Sequence, residues 1–169
     1  GSLQEGTRLQ TPFSHVSLPI DSPAGASSTM PVATLDDTAE ATLTVTEETI
    51  DAYADLTGDD NPIHRDEEYA AETFFGGRVA HGMLSAGVVS AALADLPGDI
   101  VYLSQDVEFE NPVRPGQTVT ATATVEEELG DDRLRVETVA EAEETDSEGE
   151  SQRVLSGEAV VMSVPHDGE

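Results

Sequence analysis

The stretch "GMLSAGVVSAALADL", Gly82 to Leu96, carries no charge before Asp95, in a chain of 169 residues with a net charge of −28. A segment so bare of charge is expected to be buried in so acidic a protein. A helix that is apolar on every side is a buried helix. Its small residues, Ser85, Ala86, Gly87, Ser90, Ala91 and Ala92, let a sheet or a ligand come close. Pro97 and Gly98 stop it. The rest of the fold must therefore wrap this one element.

The flanking segments are suited to that task. "ATLTVT" alternates like a short strand. Thr46 can cap a helix with Glu47 and Glu48 in its first turn, where the helix dipole favours acids. Ile50, Tyr53, Ala54 and Thr57 give that helix a narrow inward face, and Gly58 ends it. Asp66 can cap a second short helix running through Thr73. Beyond Gly98, four strands are expected at Ile100 to Glu110, Thr118 to Glu128, Leu134 to Glu144 and Arg153 to Val164. Their alternation, clearest in "VTATATVEE" and "LRVETVAEAE", suits an antiparallel sheet with one wet face. "NPVRPGQ" and "ELGDD" supply turns. The expected class is α+β, an antiparallel sheet around one central helix.

Composition narrows the function. The length suits one domain. There is no cysteine, so disulfides and thiolate metal sites are excluded. No apolar run approaches the ~20 residues of a membrane span, and the amino terminus lacks a signal-peptide pattern. A soluble, cytoplasmic protein is expected. The 35 acids face seven arginines and no lysine. That balance repels nucleic acid and anionic membranes. It fits adaptation to molar salt, where a Debye length of ~3 Å screens self-repulsion. Most acids are then a solvated surface. Residues 1–33, rich in Ser, Pro and Gly and including His15, read as a tail; Gly1-Ser2 resembles a vector remnant, with Met30 as the natural start. Residues 34–165 form the expected domain and 166–169 a second tail.

"TGDDNPIHRD", Thr57 to Asp66, is too polar for a core and too broken for a helix. Pro62 fixes its own φ and pushes Asn61 toward extended geometry. Asn61 can brace the turn through its side-chain amide. Asp59 and His64 are thus separated by a stiff spacer. A carboxylate and an imidazole held near one point can bind one water from two directions. The competing reading is a surface turn with a solvated histidine. Further on, "AHGMLSAG" puts His81 and Gly82 at the start of the buried helix. Free N–H groups and the positive end of the dipole gather there, and Gly82 leaves them open. That arrangement can hold a carbonyl oxygen as it gains charge; the alternative is an ordinary tight helix entry.

Taken together, "GDDNPIHRDEEYA", "FGGRVAHGMLSAG" and "FENPVRPGQ" resemble the MaoC-like, (R)-specific enoyl-CoA hydratases, from about Leu43 to Val164. The resemblance implies a hot-dog fold and a homodimer. It implies water addition to a trans-2-enoyl-CoA giving an (R)-3-hydroxyacyl-CoA, with no metal or redox cofactor and an acyl-CoA thioester as partner. Carried over by position, the catalytic residues are Asp59 and His64, with the backbone N–H of Gly82 as oxyanion donor; Asp60 is a bystander. Asn61, His81 and Ser90 are placed on the substrate side. Arg78 and Arg114 are candidates for the coenzyme phosphates, against a competing reading as surface ion pairs. A hot-dog thioesterase, which needs no Asp–His pair, and a binding-only module are the alternatives. A metal held by Asp59, His64 and His81 is the weakest reading.

Overall fold

The computed structural model describes residues 32–145 and 149–165. His15, Met30 and the carboxy-terminal tail lie outside the described residues. The elements in order are β1 (Thr38–Val45), α1 (Glu47–Thr57), α2 (Pro62–Arg65), α3 (Glu67–Ala71), α4 (Gly82–Ala94), β2 (Asp99–Gln105), β3 (Glu108–Phe109), β4 (Gln117–Gly130), β5 (Arg133–Glu144) and β6 (Gln152–Val164). The sheet runs β1-β4-β5-β6-β2, every neighbour antiparallel, and β3 pairs with β6. It curls around α4, which touches five strands. This is the hot-dog fold.

Alternation explains which face curls inward. In β4, Val119, Ala121, Ala123 and Val125 are buried, with threonines between them. In β5 the buried set is Leu134, Val136, Thr138, Ala140 and Ala142. Register sets Ala121 opposite Ala140 and Val119 opposite Ala142. These small pairs leave depth for a helix, and Val88, Val89, Ala92 and Leu93 of α4 fill it. Each of the larger side chains contributes about 1.5–3 kcal/mol through burial. Thr138, polar in this core, donates to Gly157 O at 2.9 Å and accepts from Gln105 Nε2 at 3.0 Å, so its burial is satisfied.

Several segments differ from the sequence expectation, among them the helix expected through Thr73, which ends at Ala71. The strand expected over Ile100 to Glu110 divides into β2 and β3, with a register shift after Tyr102. The physical cause lies on β6: a Cβ on Gly157 would stand 2.0 Å from Asp106 O. The chain at Asp106 rides directly over that glycine, and Asp106 Oδ1 accepts from Glu158 N–H at 3.0 Å in place of a regular ladder. The central helix ends at Ala94, not Leu96, with Asp95 as its cap, and the sheet buries only one side of it: Met83, Gly87, Ser90 and Ala91 are exposed. The β4–β5 hairpin turns on Asp131 and Asp132, both at positive φ (58° and 66°), as a two-residue primed turn requires.

Candidate active site

The site begins where α1 stops. Gly58, at φ 85°, donates to Ala54 O at 2.8 Å. The Asp59 N–H then donates to Thr57 Oγ1 at 3.2 Å, and the Asn61 N–H to Asp59 Oδ1 at 3.4 Å. The next four residues were expected to form a bend without helix; they form the single turn α2. The reason is local. Asn61 Oδ1 accepts from Ile63 N–H at 3.2 Å and Pro62 occupies the first helical position, both helix-starting features. This turn carries His64 inward, to 8% exposure.

His64 is tied down from two sides. Its Nδ1 lies 2.8 Å from Val79 O. A carbonyl only accepts, so Nδ1 carries the hydrogen and Nε2 presents a lone pair when the ring is neutral. Arg78 Nε donates to the His64 carbonyl at 2.7 Å, and Arg78 Nη2 to Asp51 Oδ1 at 2.8 Å. Arg78 is buried. Its guanidinium staples α1, α2 and the approach to α4 together, engaged with the His64 carbonyl, Asp51 and Glu47. Of the two adjacent acids, Asp59 lines the cavity, whereas Asp60 pairs with Arg65 at 2.9 Å.

His81 precedes α4 and is 2% exposed. Its Nε2 lies 3.0 Å from Asp59 O, so that nitrogen donates. Its ring stacks on His64 with centroids 3.8 Å apart, and Tyr53 packs against it at 4.6 Å. Burial pushes its pKa below the usual imidazole range; the bond to Asp59 O works the other way, and neighbouring His64 adds to the lowering. The neutral ring is therefore favoured.

No side chain caps α4, whose first internal bond runs from Leu84 N–H to His81 O at 3.0 Å. The Gly82 amide meets no acceptor among the described residues. A Cβ on Gly82 would stand 2.9 Å from the ring of Phe109, so the glycine makes room for that ring. A cavity of about 530 Å³ joins Asp59, His64, His81 and Gly82, with Phe75 and Phe109 among its apolar walls.

Asp59, His64, His81 and Gly82 thus meet at one cavity. Asn61 stands behind them as a cap. Ser90 is exposed and lies outside the cavity; Ser85, one helical turn beyond Gly82, is buried and lines it. Helical spacing from Gly82 was the signal for Ser85, but it does not separate the two serines. Phe109 went unnoticed in the sequence, and Tyr53 was read only as part of the inward face of α1, because nothing local marks either as a neighbour of the helix start. Arg114 is half-buried beside Gly77 and, among the described residues, takes part in no ion pair.

The chemistry available is proton transfer at a held water beside an amide that can stabilise an oxyanion. The ligand atoms of Asp59, His64 and His81 lie within 4.8 Å of one another, the one such grouping among the described residues that could hold a metal.

The MaoC like domain model matches residues 32–148. Over 84 residues the chain is 51% identical to an (R)-specific enoyl-CoA hydratase of Rhodospirillum rubrum, covering 48% of this chain and 58% of that protein. It is 45% identical over 111 residues to a 3-hydroxybutyryl-CoA dehydratase of Methylorubrum extorquens, covering 64% and 67%. Among solved structures, the unliganded R-hydratase PhaJ1 of Pseudomonas aeruginosa superposes with a TM-score of 0.66 at 35% identity, covering 78% of this chain and 82% of that one.

Proposed function

This chain belongs to the MaoC-like domain family, and we propose that it is an (R)-specific enoyl-CoA hydratase acting reversibly on trans-2-enoyl-CoA thioesters. The observation that carries this reading is the convergence of Asp59, His64 and the free Gly82 amide on one cavity. Asp59 takes a proton from a water that attacks C3. His64 holds the same water beside Asp59, and the proton that leaves the water passes through this pair to C2 on the same face. The Gly82 N–H holds the thioester oxygen as it becomes enolate-like, an interaction worth about 3 to 4 kcal/mol in comparable sites. The reaction calls for no metal and no redox cofactor.

The apolar walls suit an acyl chain. Arg114, beside Gly77 near the cavity's Phe75, is the candidate contact for the coenzyme phosphates. Met83, Gly87, Ser90 and Ala91 leave an uncharged side of α4 exposed. A surface of that kind on so acidic a chain supports a homodimer that covers it. The net charge supports a salt-rich cytoplasm as the setting. No helix among the described residues is long and apolar enough to cross a membrane.

A thioesterase would use the same amide but has no need of His64 beside Asp59. Incubation with crotonyl-CoA separates the two. The hydratase consumes the enoyl absorbance, releases no thiol and yields the (R)-3-hydroxy product. Thiol release without hydration, or no reaction at all, contradicts the proposal.

A further inference from the structure

The buried face of α4 consists of Ser85, Val88, Val89, Ala92 and Leu93, so Ser85 is the one polar residue on it. Ser85 is 4% exposed and lines the cavity. A serine inside a helix can satisfy its hydroxyl on the carbonyl four residues earlier, which here is His81 O. Ser85 does not do so, and its hydroxyl has no hydrogen-bond partner among the described residues. Nor is it walled in, because the one fully enclosed side-chain nitrogen or oxygen without a partner there is His81 Nδ1. The Ser85 oxygen is therefore within reach of whatever fills the cavity. A hydroxyl so sheltered and left unpaired costs free energy, so a partner on the ligand is called for.

Helix geometry gives the direction of that hydroxyl. Cα–Cβ bonds slant toward the helix amino terminus, so a side chain covers the turn before its own. Ser85 follows Gly82 by three residues, on the same side of the helix. Its hydroxyl leans back over the Gly82 turn, where the glycine puts no side chain in the way. The Gly82 amide is unbonded there, and no side chain caps the helix. An amide and a hydroxyl thus form two donors at one helix end, on one cavity. The loop residues are of the opposite kind. Asp59 offers a carboxylate, and neutral His64 keeps Nε2 as an acceptor because Nδ1 donates to Val79 O. Donors on the helix and acceptors on the loop suit a carbonyl oxygen on the first and a water on the second. Beyond Ser85 the inward face of α4 is apolar, so the hydroxyl serves the carbonyl end of a ligand and not its chain.

Resting on the hydratase reading above, we propose that Ser85 is a further catalytic residue, whose hydroxyl is the second donor to the thioester oxygen beside the Gly82 amide. The Ser85 O–H bond stays intact throughout. As the water oxygen bonds to C3, the C2–C3 double-bond pair moves between C1 and C2, and the carbonyl pair moves onto the thioester oxygen. Negative charge grows on that oxygen, and both hydrogen bonds strengthen with it. When C2 takes its proton, the pair returns to the carbonyl and the bonds relax. A bond that is stronger to the enolate than to the substrate lowers the barrier without tightening substrate binding.

Ser85→Ala removes the hydroxyl and little else. Alanine is a better helix former than serine, and no partner within the protein is lost, so the melting temperature should hold or rise. The proposal predicts a kcat on crotonyl-CoA about a hundredfold lower, the range for one oxyanion donor, with KM little changed. A kcat equal to wild type, or a raised KM at unchanged kcat, overturns it. A melting temperature several degrees lower would show a bond inside the protein and overturns it too. The carbonyl gives a second readout. In the Asp59→Asn variant, the infrared carbonyl stretch of crotonyl-CoA labelled with ¹³C at C1 should fall on binding, and should fall less once Ser85→Ala is added. An equal shift in both chains overturns the contact. Wild-type protein that does not hydrate crotonyl-CoA refutes the hydratase reading itself; an active wild type with an unaffected Ser85→Ala refutes only the role of Ser85.

Discussion

On the outer face of the sheet, Thr120 of β4 and Glu137 of β5 occupy positions where the pleat asks only for a side chain that tolerates water. In the cavity, Asp59, His64, His81 and Gly82 are held by particular contacts: Asp59 Oδ1 accepts from Asn61 N–H, His64 Nδ1 meets Val79 O, His81 Nε2 meets Asp59 O, and Gly82 lies against the Phe109 ring. The same acidic residue type populates both regions. Asp59 faces the cavity while Asp60, next in the chain, is an outer acid paired with Arg65. Acidity therefore says little about role; what a carboxylate touches decides it. The regions also differ in how they fail, since a strand position loses a solvated group and a cavity position loses a contact geometry.

Substitution at the site should break this contrast most sharply. Asp59→Asn is expected to lower kcat about a thousandfold, within the range for a general base, while the melting temperature barely moves, because Asp59 Oδ1 accepts only a 3.4 Å bond from Asn61. Equal kcat in the variant would place the base elsewhere. Next in size is Arg78→Met, which removes the buried staple between the His64 carbonyl and Asp51. Denaturant titration should show a loss of about 2 kcal/mol. Arg78→Lys should not restore it, because a point charge cannot replace a planar fork that bonds two groups at once.

Gly82→Ala keeps the amide but drives a methyl into the Phe109 ring. Because that ring is 52% exposed, it can yield. A drop in kcat of about tenfold is expected, in line with modest overpacking, and Phe109→Leu in the same chain should recover part of it. A smaller effect comes from pH. The folded-state pKa of His81 is lowered, chiefly by burial. Its contribution to stability is thus fully present above the unfolded imidazole value of about 6.5 and is lost as pH falls below it. Thermal melts from neutral to acid pH should fall less steeply in His81→Phe than in the wild type. Least of all, Glu40→Gln and Glu143→Gln, at exposed strand positions, should each stay within about 0.5 kcal/mol of wild type with kcat unchanged. Either one acting like Asp59 would erase the distinction between the regions.

Periodicity made the sheet legible. The alternation through Val119, Ala121, Ala123 and Val125 marked the inward face, and the charge-free run into α4 marked the centre. The break between β2 and β3 was hidden, because it depends on Gly157 lying beneath Asp106, a contact between residues far apart in sequence. At the site, Pro62 and Asn61 announced a stiff spacer, while the turn of helix they make was missed. The inward turn of Arg78 was equally hidden, since an arginine shows no sign in sequence of which carbonyl it will meet. The same holds for the unmatched lone pair of His81, which exists only because Asp59 O takes the other nitrogen.

The most direct test is a crystal structure of the Asp59→Asn variant soaked with crotonyl-CoA. The account predicts the thioester oxygen on the Gly82 amide, with C3 facing the substituted side chain and the His64 ring across a water-sized gap. An acyl chain bound away from Gly82, or a His64 ring turned from C3 and C2, would contradict it.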